Sequence, residues 1–205
     1  MEVTNAFYNT VLKYSNNPAT AQSFLVEIEK AYSKSSRHYH NLTHLQNLYS
    51  ELLPVKDTIA DWDTLLFAII YHDAVYSASK KDNEEKSAHM AAERLQTIGY
   101  PEDKIALCHE MILATKQHSL SGNNDINLFT DADLSILGKP WPEYEAYCKN
   151  VRKEYRIYPD LLYKPGRKKA LNHFLEMHTI FKTNPFKNKY EEIARQNIYQ
   201  EIMFL

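Results

Sequence analysis

Glycine is scarce in this chain, with four in 205 residues, and proline numbers only eight. A turn-rich all-β fold draws heavily on both residues, so the shortage favours helices joined by short loops. Cysteine is scarcer still. Cys108 and Cys148 are the only two, which suits a reducing compartment rather than a disulfide framework. No apolar run reaches the roughly 18 residues that a membrane-spanning helix needs. The opening residues MEVTNAFYNTVLKYSNN have neither the basic start nor the long apolar middle of a signal peptide, so a cytoplasmic protein is expected. Positive charge is not in excess either. A formal net charge of −2 excludes a protein whose main task is to coat nucleic acid and favours small substrates.

What the chain does have is helical periodicity. Phe24, Leu25, Ile28, Ala31 and Tyr32 share one helical face, as do Leu45, Leu48, Tyr49 and Leu52 after the N-cap candidates Asn41 and Thr43. Nearly every residue from Leu65 to Tyr71 is apolar, which predicts a central buried helix over about 58–73. DNEEKSAHMAAERLQTIGY and PEDKIALCHEMILATKQH each open with first-turn acids. NLFTDADLSILG, WPEYEAYCKNVRKEYRIY, KKALNHFLEMHTIF and KYEEIARQNIYQEIMFL read as further helices, with SLSGNN and the stretch before Lys168 as loops. There is no fixed-period repeat and no linker polar enough to divide the chain. The expected fold is a compact all-α multi-helix bundle of nine or ten helices, one domain over 1–205.

The segment FAIIYHDAVY raises a chemical question: it runs an apolar helix straight into His72 and Asp73. A His-Asp pair can simply cap a helix C-terminus. At the mouth of a buried helix, however, a divalent cation is an efficient neutraliser of such a pair. His38, His40 and His44 cluster upstream, and TDADLSILG supplies Asp131 and Asp133 downstream. In this order, YHNLTH, YHDAVY and DADLSILG resemble the HD superfamily of metal-dependent phosphohydrolases. Together with DNEEKSA, ATKQH, VRKEY, PGRKKAL and EEIARQNI they look like a small bacterial subfamily of predicted hydrolases, over residues from about 30 onward.

The resemblance implies an HD-type fold and a metal held by His44, His72, Asp73 and Asp133. Two imidazoles and two carboxylates suit one divalent ion, Mn, Fe, Co, Ni or Mg, with room for a second. Asp131 and Asp133 diverge by about 200° on a helix. Asp133 matches the family pattern, while Asp131 reads as an N-cap in competition with Thr130. Glu84 and Glu85 are general-base candidates as well as first-turn acids. His118 is a catalytic or second-metal candidate beside Lys116. His40, Lys116, Arg152 and Arg167 are candidates for binding phosphate, and Tyr76 and Tyr155 for stacking on a base or sugar. His89, His109, His173 and His178 carry no pattern.

The function so implied is divalent-metal-dependent hydrolysis of a small phosphorylated metabolite such as a nucleotide. Two alternatives use the same scaffold: a di-iron oxygenase, which requires additional histidine ligands with only His118 and His109 available, and a non-catalytic helical protein stapled by its metal. A homodimer through the apolar IMFL segment is a further option.

Overall fold

The computed structural model describes residues 1–205. It is an all-α multi-helix bundle of ten α-helices with no strand. Helices α1 (Glu2–Ser15) and α2 (Pro18–Tyr32) form a hairpin because the intervening residues stop one helix and start the other. Asn16 takes a left-handed φ of 49°, and the Asn17 side chain accepts the Ala19 and Thr20 N–H groups ahead of Pro18. Helix α3 (Leu42–Leu52) is capped by Asn41, whose side chain accepts from the N–H groups of Thr43 and His44.

Helix α4 (Trp62–Tyr71) is the central rod. Every residue from Thr64 to Tyr71 is buried, and α1, α3, α5, α6 and α7 pack around it. Its start differs from the expected Thr58, because Leu53–Thr58 forms a separate 3-10 helix. The Asp125 carboxylate accepts the N–H groups of Ala60 and Asp61 at 3.0 and 2.9 Å and holds that link out of the helix. Asp61 then caps α4 through the Thr64 N–H.

Helices α5 (Asn83–Thr97) and α6 (Glu102–Ala114) pack as a pair, joined through Gly99 at a left-handed φ of 67°. Helix α7 (Asn124–Leu134) begins well before the position expected from TDADL, with Asn123 as its cap. Asp131 is therefore not the N-cap of its own helix. Its buried carboxylate instead accepts the N–H groups of Lys182 and Thr183 and the Thr183 hydroxyl, fixing the residues that precede α10.

After a 3-10 turn over Ser135–Gly138 come α8 (Trp141–Glu154), α9 (Asp160–Glu176) and α10 (Asn184–Phe204). Helix α9 passes through Pro165 and Gly166, where the sequence suggested a loop. The carbonyl that Pro165 leaves unpaired is that of Leu161, a residue 84% exposed, so water can serve it. One contiguous core of 42 buried residues draws on all ten helices. No helix is long and apolar enough to cross a membrane.

Helix α10 seals the bundle over the 3-10 turn. The Asn197 amide donates to the carbonyls of Leu137 and Lys139, both at 2.8 Å. Gly138 is needed there, because a Cβ at that position would lie 2.5 Å from the Tyr190 Cβ and 2.8 Å from its Cα. Gly138→Ala is expected to cost about 1–3 kcal/mol by forcing α10 away from the turn. Urea unfolding measures this; an unchanged midpoint would show that the contact yields freely.

Candidate metal centre

Three helix ends deliver the cluster. His72 caps the C-terminus of α4, with its N–H on the Ala68 carbonyl. His44 stands in the first turn of α3, and Asp133 in the last turn of α7. The two histidines are 5% and 2% exposed.

The tautomer of His72 follows from its partner. Its Nδ1 lies 2.8 Å from the Ile69 carbonyl, which can only accept, so Nδ1 carries a proton. That leaves Nε2 facing the cluster, 3.1 Å from the Nε2 of His44. Asp133 Oδ1 lies 3.3 Å from His44 Nε2 and 3.8 Å from His72 Nε2. The ligand atoms of His44, His72 and Asp133 all fall within 4.8 Å of one another, so this group could hold a metal ion. The donor chemistry fits. A shared cation can take the lone pairs of both Nε2 atoms, and in its absence a proton between them satisfies the pair.

Asp73 borders the same space. Its Oδ2 is 3.2 Å from His72 Nε2 and 3.9 Å from His44 Nε2. Its N–H donates to the Tyr32 hydroxyl, which in turn donates to the Ile70 carbonyl. The Asp131 carboxylate, two residues before Asp133, turns away toward Lys182 and Thr183.

Burial and charge compete here. Burial opposes the charged form of His72, yet Asp73 and Asp133 outweigh it and raise its pKa to about 9. For His44 burial prevails and its pKa falls below the usual value. Burial also opposes ionisation of Asp73 and Asp133. Neighbouring histidines reverse that, His72 foremost for Asp73 and His118 for Asp133, and both carboxyls sit below the usual range.

His118 reaches Asp133 from the end of α6. Its backbone adopts a left-handed φ of 53°, uncommon outside glycine, and its Nε2 lies 3.0 Å from Asp133 Oδ2. It therefore holds the oxygen that faces away from the two other histidines.

On the other side His40 faces Asp73, with Nε2 4.0 Å from Oδ2. Its Nδ1 is 2.6 Å from Glu154 Oε2. Glu154, a residue the sequence did not single out, also accepts the N–H groups of Tyr39 and His40 and the Tyr76 hydroxyl. Its pKa is lowered to about 2: burial works against the charge, and the His40 hydrogen bond overcomes it. His40 is shifted upward, where Asp73 and Glu154 prevail over burial. Arg37, also missed, donates to the carbonyls of His40 and Ala74 and packs against the rings of Tyr32 and Tyr76.

Five further candidates have partners outside the cluster. Lys116 and Glu85 form an exposed ion pair with each other, and Glu84 approaches Lys116 at 4.0 Å. These contacts satisfy α5's first-turn acids with a lysine that follows α6. Arg152 pairs with Asp160 at 2.7 Å and donates to the carbonyls of Tyr155 and Tyr158. Arg167 is committed to Glu201 at 2.8 and 3.0 Å. Tyr155 lines a cavity beside His40, and Tyr76 packs on the His40 ring at 4.4 Å.

Comparison with protein-family models, with curated proteins and with solved structures finds no match for this chain. The geometry makes its own prediction for the metal-free protein. The raised pKa of His72 contributes stability that is full below its ordinary 6.5 and is lost as pH climbs through about 9. His44, shifted the other way, removes stability below 6.5. The melting temperature of chelator-treated protein should therefore peak near neutrality and fall toward pH 9, with a shallower fall in His72→Gln. A melting temperature flat from pH 6.5 to 9.5 would contradict a protonated His72.

Proposed function

We propose that the chain is a divalent-metal-dependent phosphohydrolase of the HD type, acting on a small phosphorylated metabolite. The observation that carries this reading is the buried convergence of His44, His72 and Asp133 with Asp73 alongside, next to His40, which also lines a cavity large enough for a small molecule. His44 and His72 offer Nε2, Asp133 offers Oδ1, and Asp73 offers Oδ2 as the fourth donor. This mixed nitrogen and oxygen set suits a first-row divalent ion. Such an ion, when bound, supplies Lewis acidity toward a phosphoryl oxygen and lowers the pKa of water.

The chain's own groups do the rest. His118 orients Asp133 through its outer oxygen. Glu154 orients His40 and favours its imidazolium, whose Nε2–H faces the Asp73 side of the cluster. When water adds to phosphorus and the ester P–O bond breaks, the leaving oxygen needs a proton, and His40 Nε2 is the group that gives it. The di-iron alternative asks for further free ligands. The Asp133 contact of His118 and the Glu154 contact of His40 favour a mononuclear site instead.

Protein stripped of metal and reloaded with Mn²⁺ should release inorganic phosphate from p-nitrophenyl phosphate or from a nucleotide panel. Asp73→Ala should reduce this to background while leaving the helical circular dichroism intact. Absence of turnover in protein shown to hold metal would overturn the reading. His118→Ala should weaken Mn²⁺ affinity about 10- to 100-fold, as loss of a group that orients a ligand commonly does. Calorimetric titration with Mn²⁺ checks this independently of activity. A metal that served only as a staple would show the opposite pattern, with a large fall in melting temperature on stripping and no turnover.

A further inference from the structure

The cavity beside His40 has walls unlike those of the metal group. It encloses about 550 Å³ between α8 and α9, within the range of small-molecule sites. Tyr147, Tyr155, Tyr158 and Tyr163 line it. The ring of Tyr39 stands between the cavity and the cluster, packed on Tyr147 at 4.6 Å and on His44 at 4.9 Å. His40 borders both the cavity and Asp73.

Two cationic side chains reach the cavity, and both are already matched. His40 is held by Glu154. Arg167 forms a fork with both Glu201 oxygens, and its remaining nitrogen lies 3.2 Å from the Tyr147 hydroxyl. No lining cation is left over for a chain of phosphates, and a desolvated charge without a partner is costly.

The wall formed by α9 carries the second observation. Gly166 and Ala170, one turn apart, face the cavity. A Cβ on Gly166 would meet nothing within 4 Å, and its φ is not in the left-handed region. Neither close packing nor backbone geometry calls for glycine there. In a helix interior it costs about 1 kcal/mol against alanine. Gly166 is exposed, and its missing side chain leaves this edge of the cavity open.

We propose that this cavity is a subsite for a planar, uncharged ring borne on a single phosphate. The substrate class is then a ring-bearing monophosphate, as in a nucleoside or aryl monophosphate, and not a sugar phosphate or a polyphosphate. Tyrosine faces stack on such a ring, Gly166 leaves room for it, and the matched cations exclude further phosphates. The single-phosphate half rests on the hydrolase reading; the ring half does not.

The ring half is tested without turnover, by calorimetric titration of metal-stripped protein with adenosine, guanosine, cytidine, uridine and benzamide. At least one of these should bind. Gly166→Trp, which fills the cavity from an open helix face, should weaken that binding about tenfold or more, as loss of a stacking surface does. Tyr158→Leu should do the same by removing one aromatic face, and circular dichroism verifies the helix content of both variants. No binding by any of the five compounds, or binding undiminished in both folded variants, overturns the proposal.

The phosphate half is tested with Mn²⁺-loaded protein. The kcat/KM for the best of AMP, GMP, CMP, UMP and p-nitrophenyl phosphate should exceed that for ribose 5-phosphate and for ATP about tenfold or more. Whether a nucleoside or the bare aryl compound leads tells which kind of ring the cavity takes. Equal turnover of ribose 5-phosphate, or a preference for ATP, overturns the proposal and leaves the hydrolase reading standing. Ring binding with no phosphate cleaved supports the ring subsite and overturns the hydrolase reading.

Discussion

Two imidazole nitrogens 3.1 Å apart inside a protein cannot both present bare lone pairs to each other. The surrounding architecture serves that constraint. The Ile69 carbonyl fixes one proton of His72 on its outer nitrogen, so the inner nitrogen is the one that takes either a second proton or a cation. Asp133 and Asp73 then supply negative charge beside it, and the group could hold a cation in the middle. Helix α4 makes this affordable. Its unbroken apolar surface anchors it at the centre of the core, and the price of a polar cluster at its end is borne by packing along its length.

Neighbours outside the cluster hold its surroundings in place. His118 accepts a left-handed backbone to reach the outer oxygen of Asp133. Glu154 gathers two backbone N–H groups, one imidazole and one phenol, and so sets both the loop before α3 and the ring of His40. Arg37 ties that loop to the residue after Asp73 through the carbonyls of His40 and Ala74. The loop is irregular in backbone but held by several hydrogen bonds, which is how a segment without secondary structure can be well defined.

Much of this was legible in the sequence where periodicity or spacing carried it. The all-helical class followed from scarce glycine and from apolar faces at 3.6-residue spacing, and α4 stood out because it is apolar all round. His44, His72, Asp73 and Asp133 were marked by the resemblance to the HD superfamily, and the structure draws His44, His72 and Asp133 into one group. Glu154 was not, because a single acid among arginines and lysines at a helix end has no pattern to mark it. Asp131 looked like an ordinary helix start and Asp125 went unmarked, since a carboxylate that binds backbone N–H groups of a distant segment is indistinguishable, in one dimension, from one that binds its own. The early start of α7 was hidden for the same reason: Asn123 and Asn124 are as natural in a loop as in a cap. Arg152 and Arg167 drew attention as cations available to phosphate, whereas Asp160 and Glu201, brought to them only by folding, occupy both.

Asp131 joins two stretches of chain far apart in order of synthesis. Its carboxylate grips Lys182 and Thr183 just ahead of α10, and the Asn197 amide of α10 clasps the turn that follows α7. Asp133 stands between these two anchor points. As the polypeptide leaves the ribosome, the histidines emerge first, while the helix that steadies their carboxylate partner is still unmade. The carboxylate of the group is thereby steadied only once α10 has been made, well after the residues that form the group itself.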